Sequence, residues 1–190
     1  MKNVNRIIIV VMALVMMCSS FAFADDRNTN DNANEITEES SGIILDLGEL
    51  EPGKTVSYYM IEGPDGELMA TTNPSSVAIF AGSITANSWV GNTINYTIRV
   101  TSTGIQMRRH WGTVKLYKVT SLGLQGAEIN SATFTTSYSS GTYVLTYNDN
   151  INTTGVNKVF LKVINPKVED IYGDITQMYG FFIRANKSNF

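Results

Sequence analysis

From residue 42 to the C-terminus the chain is built of short apolar or alternating runs broken by Gly, Asn, Ser and Pro. Ile94, Tyr96, Ile98 and Val100 alternate with Asn95, Thr97 and Arg99; Tyr143, Leu145 and Tyr147 alternate with Thr142, Val144 and Thr146. A period of two marks a strand with one buried face. The same texture predicts strands over residues 43–47, 55–61, 67–72, 77–81, 93–101, 105–108, 113–120, 127–138, 142–148, 157–164 and 178–185. Residues 157–164, Asn-Lys-Val-Phe-Leu-Lys-Val-Ile, are apolar on both parities, as a central strand covered on two sides would be. Glu51-Pro-Gly-Lys54 and Gly63-Pro-Asp-Gly66 are turn sequences, with Pro fixing φ and Gly permitting positive φ.

No helical stripe of useful length interrupts these runs. The best candidate is Asn165-Pro-Lys-Val-Glu-Asp-Ile-Tyr172, with Asn165 as cap and Val168, Ile171 and Tyr172 on one side. It predicts one or two helical turns near 166–172. Short strands at roughly 8–12-residue spacing then argue for an all-β fold, a single antiparallel β-sandwich of Ig-like or jelly-roll-like architecture over residues 42–190. Ser139-Ser-Gly-Thr-Tyr-Val-Leu145 resembles the Ser-x-Gly-x-Tyr-x-Cys run of immunoglobulin-type strand F, with Leu145 at the cysteine position. That resemblance implies a corner role for Tyr143, its hydroxyl returning to nearby backbone.

The first 41 residues have a different pattern. Lys2 and Arg6 precede an apolar run from Ile7 to Met17, and Ala22-Phe23-Ala24 ends it with small residues. This order predicts a signal peptide over residues 1–24, cleaved after Ala24. The apolar run is shorter than the about 20 residues a membrane span needs, so no transmembrane span is expected in the mature chain. Cys18 opens a second route, a lipoprotein, but Met17 stands where that processing expects a small residue. Residues 25–41 hold six acids against Arg27 and one large apolar residue, Ile36, and predict an acidic disordered arm.

Charge and cysteine narrow the picture. The chain has 14 basic and 17 acidic residues, and loss of Lys2 and Arg6 moves the net charge from −3 to −5. The arm carries all of it and leaves a neutral body, which gives no case for nucleic-acid binding. The one cysteine lies in the leader, so the exported product would be thiol-free and held by packing alone. A secreted, extracellular, bacterial protein fits these features.

Chemistry concentrates in residues 99–118, which hold Arg99, Arg108, Arg109, Lys115 and Lys118, no acid, and the only histidine, His110. Arg108, Arg109, His110 and Trp111, supported by Lys115 and Tyr117, form a candidate site for an anion: cationic donors beside aromatic stacking faces. Adjacent arginines on a strand point to opposite faces, so this site requires a bulge or turn between them. Trp89 lies near Gly91 at an expected strand end and is a second candidate exposed ring.

Nucleophilic hydrolysis would need His110 beside a serine and an acid, and the chain has no Gly-x-Ser-x-Gly. Carboxylates such as Asp46, Glu49, Glu128, Glu169, Asp170 and Asp174 could form a glycosidase pair. One histidine falls short of a zinc set. Calcium oxygens are offered by Asn148, Asp149, Asn150 and Asn152, or by Glu169, Asp170 and Asp174, without EF-hand spacing. Residues 127–147 read as a Ser/Thr-rich hairpin of the texture pore-forming proteins use. The sequence therefore predicts a non-catalytic binding or cell-surface protein without cofactor or metal. Its expected partner is a cell-wall polymer, glycan or other extracellular anion, with a secreted hydrolase or a pore-forming protein as alternatives.

Overall fold

The computed structural model describes residues 44–73 and 77–190. The predicted leader and arm lie outside those residues. What is described is a two-sheet β-sandwich. One sheet, here sheet A, runs in the order β1 (Ile44–Leu50), β11 (Gly180–Asn186), β9 (Lys158–Asp170), β6 (Met107–Val119) and β7 (Gln125–Thr142), with β10 (Ile175–Gln177) also paired to β9. Sheet B runs β3 (Leu68–Thr71), β2 (Thr55–Glu62), β4 (Phe80–Val90), β5 (Thr93–Ser102) and β8 (Val144–Asn152). All pairings are antiparallel except β1 with β11, where the two ends of the domain meet on one edge. A parallel pair needs a long crossover, and nearly the whole domain supplies it.

The alternating runs place their apolar parity between the sheets. Ile94, Tyr96, Ile98 and Val100 of β5 face Val114 and Leu116 of β6, Val159, Leu161 and Val163 of β9, and Phe181 and Ile183 of β11 in one continuous core. Each such buried aliphatic or aromatic side chain contributes about 1.5–3 kcal/mol relative to exposure. β9 is central, as its two-sided apolar pattern predicts: Phe160 and Ile164, on the parity opposite Val159 and Leu161, are also buried. The Pro-Gly turns form as expected, with Lys54 N–H donating to Glu51 O at 3.1 Å and Gly66 N–H to Gly63 O at 3.0 Å.

Three expectations are corrected. Residues 166–170 are strand, not helix, because Asn165 adopts a left-handed φ of 49° and bulges β9 there. Pro166, which has no N–H to give, occupies the slip in register between Thr113↔Ile164 and Trp111↔Lys167. Of the supposed helical face only Val168 is buried; Ile171 and Tyr172 are exposed. Second, residues 105–108 and 113–120 merge into β6. Third, residues 127–147 are not a hairpin: β7 pairs β6 and β8 pairs β5, so the chain changes sheets beyond Gly141, whose φ is 77°.

Candidate functional site

β6 carries every residue of the sequence-predicted site. Between Met107 and Arg109 its register slips against both β7 and β9, so Arg108 occupies a bulge and both arginines are exposed. The bulge that adjacent arginines require is therefore present. Beyond it, strict alternation sends Arg109, Trp111, Lys115 and Tyr117 to the outer face of sheet A and His110, Val114 and Leu116 to the core.

Trp111 is half-buried, with the Arg109 guanidinium 4.8 Å from its ring centroid. An Arg over an indole at that separation is a cation–π pair worth about 0.5–1 kcal/mol at an exposed site. In register on either side of Trp111 are Lys167 of β9 and Thr135 of β7; Arg109 is flanked by Glu169 and Ser137. Glu169 takes the bulged Arg108 in an ion pair, which raises the arginine's pKa through that hydrogen bond and the negative charge. Arg109 and Lys167 make no ion pair among the described residues.

The outer face continues across the sheet with residues that local sequence could not associate with β6. Lys162 lies opposite Lys115 and Phe160 opposite Tyr117, while Phe182 and Arg184 of β11 lie opposite Lys162 and Phe160. The Lys162 ammonium is 5.2 Å from the Tyr117 centroid and 5.9 Å from that of Phe182; Arg184 is 5.8 Å from Phe182 and 5.9 Å from Phe160. These cationic stems cover the rings, which leaves Phe160 only 6 % exposed outside the main core. Carboxylates stand at the margins: Glu128 pairs Lys115 at 3.4 Å, and Asp46 pairs Arg184. Cations thus run across the middle of the face, with Glu128 and Asp46 on its two rims and Glu169 within it, taken by Arg108. Lys162 sits in a run whose pattern predicts cover on both sides, and Lys167 in the segment whose pattern predicts a helical turn, so neither pattern points to this face.

His110 turns away from this surface. It is 3 % exposed, with its ring edge-on to Phe134 at 5.0 Å, and burial lowers its pKa to about 4. Its Nδ1 has no hydrogen-bond partner. An imidazole without a serine or carboxylate hydrogen-bond partner is not arranged for the hydrolytic relay, and its burial keeps its remaining N–H from an external anion. His110 therefore drops out of the candidate surface, for the same alternation that places Arg109 and Trp111 in it.

The remaining candidates disperse. Trp89 is 6 % exposed, because a bulge between Ala86 and Ser88 rotates it inward against Phe190, centroids 6.0 Å apart. Tyr143 is 47 % exposed at the sheet change, and its backbone carbonyl, not its hydroxyl, accepts a hydrogen bond, from Ser102 N–H. The immunoglobulin-type clamp is absent among the described residues. Asn148 accepts from Thr97 Oγ1 on the outer face of sheet B, whereas Asp149 accepts from Tyr147 Oη at 2.7 Å on the other side of β8. Asp170 spends its carboxylate on the N–H groups of Tyr172 and Asp174. No group of three metal-ligating His, Cys, Asp or Glu side chains occurs among the described residues. No helix among them is long and apolar enough to cross a membrane.

No protein-family model matches the chain, and no curated protein matches it in sequence.

Proposed function

We propose that this is an exported, non-catalytic binding protein of bacterial type, and that the outer face of sheet A engages an anionic polymer or acidic glycan outside the cell. The observation that carries the reading is Arg109 stacked on Trp111 with Lys167 in register beside them. Two cations without carboxylate partners and one ring face lie side by side on a strand surface flanked by the hydroxyls of Thr135 and Ser137. An acidic sugar needs that combination: a charge for its carboxylate or sulfate, a ring for its pyranose face, and hydroxyls for its own. Arg108 supports the site from the bulge, and Lys115 and Tyr117 extend it toward Lys162.

Retention on immobilised bacterial cell wall and on acidic polysaccharide columns tests the reading. Arg109→Glu combined with Lys167→Glu should lower retention at least about a hundredfold, since a repelled anion adds to the loss of two attractions. Retention of the wild type should fall with rising salt, because exposed charges are screened over about 8 Å at physiological ionic strength. Unchanged retention in a folded double variant contradicts the proposal.

A further inference from the structure

Among the described residues the two sheets end on β1, β7, β3 and β8, with the three-residue β10 as a further short edge beside β9, and these edges are not equally protected. β3 has only four residues. β1 carries Asp46 and Glu49 and bulges between them. β8 carries Asp149, a charge held by Tyr147. Short length, bulges and charge are the devices that keep edges from pairing with other chains. The centre of β7 has none of them: its register with β6 is unbroken from Asn130 to Ser137, and residues 129–142 contain no charged residue and no proline.

The direction of its free main-chain groups follows from one hydrogen bond. Ser131 N–H donates to the Asn130 side chain at 2.8 Å, which assigns Ser131 to the positions whose main-chain groups point off the edge. In an antiparallel ladder that orientation repeats every second residue, which assigns it to Thr133, Thr135 and Ser137, all in unbroken register with β6. Beside this strip Tyr138 is 55 % exposed, and Tyr143 and Val144 are exposed where the chain crosses to sheet B.

We propose that β7 pairs antiparallel with β7 of a second copy of this chain. The two-fold axis passes beside Thr135, which faces its own counterpart, while Thr133 faces Ser137 of the other copy. The occupant is a second copy because the strip is neutral and self-matched. Hydroxyl meets hydroxyl at every outward position, no like charges oppose, and Tyr138 supplies apolar cover at both ends. The product is one continuous sheet across two copies, with both Arg109–Trp111 surfaces on the same side. If that surface binds an anionic polymer, as proposed above, pairing makes the binding bivalent.

Sedimentation equilibrium of the purified protein over a hundredfold concentration range tests this without any ligand. A reversible monomer–dimer equilibrium is expected. Thr135→Pro, which removes an edge N–H that the monomer does not use, should shift it to monomer. Thr135→Lys keeps the backbone intact, places like charges opposite one another and should do the same. A wild type that stays monomeric throughout, or a dimer that survives Thr135→Lys, overturns the proposal. Neither result bears on whether a single copy retains an acidic glycan.

Discussion

The two outer faces of this sandwich are both exposed and polar, yet they dispose of their polar groups in opposite ways. On sheet B the groups satisfy one another. Asn87 Nδ2 donates to Thr97 Oγ1 at 2.9 Å, Thr97 Oγ1 donates to Asn148 Oδ1 at 2.6 Å, and the hydroxyls of Thr55 and Thr85 are 2.7 Å apart. On sheet A the polar groups are cations laid over rings, and Arg109 and Lys167 have no acid partner among the described residues. A surface whose amides and hydroxyls bond to one another, with Arg99 standing apart from any ring among the described residues, gives a ligand little to gain. Where Arg109 lies on a ring and Lys167 beside it, neither paired with a carboxylate, the surface keeps charge available for an anion. Exposure is common to the two faces; what separates them is a cation set on a ring with a second cation in register beside it.

That contrast can be broken most sharply by reversing charge on each face. Arg99, on the outer parity of β5, is the sheet B counterpart. Arg99→Glu should leave retention on acidic polysaccharide within about twofold, against the hundredfold loss expected for the Arg109 and Lys167 pair. Equal losses would reduce the account to net charge.

The inward side of β6 gives the next largest effect. His110 titrates near pH 4 in the folded chain and near 6.5 when unfolded, so between those values the unfolded state binds more protons. Stability is therefore full above about pH 6.5 and falls as the pH drops toward 4, by roughly 3 kcal/mol in all. Chemical denaturation across that window checks it. His110→Phe should flatten this part of the profile and leave retention at neutral pH unchanged, because the imidazole faces Phe134 and not the ligand surface.

The smallest effect belongs to the sheet B network. Thr97→Val removes both of its side-chain hydrogen bonds and should cost about 1 kcal/mol of stability with no change in retention.

Much of this arrangement is legible in the sequence. Strict alternation in residues 94–100 locates β5 and its buried parity, and two adjacent arginines announce the bulge at Arg108. What alternation cannot express is which strand lies beside which. Lys162, Lys167, Phe160, Phe182 and Arg184 join Trp111 and Tyr117 only through pairings between residues far apart in the chain, and no local pattern encodes those. Phase errors account for other misses. One extra residue between Ala86 and Ser88 turns Trp89 from an expected exposed ring into core, and the bulge at Asn165 extends a strand through a sequence with helical caps. Residues 127–147 mislead for a different reason. Gly141 has the look of a hairpin turn but serves as a corner between sheets, and only tertiary packing distinguishes the two.

The central claim, that Trp111 lies in the ligand-binding surface, has a direct optical test. Trp89 and Trp111 are the only tryptophans, and Trp89 is buried with an unpartnered indole N–H that phenylalanine would not have. Trp89→Phe leaves Trp111 as the sole reporter. Titration with a uronic-acid or sulfated oligosaccharide should change Trp111 emission saturably, with a midpoint that matches column retention and rises with salt. Retention of the same glycan with Trp111 emission unchanged at saturation would contradict the account.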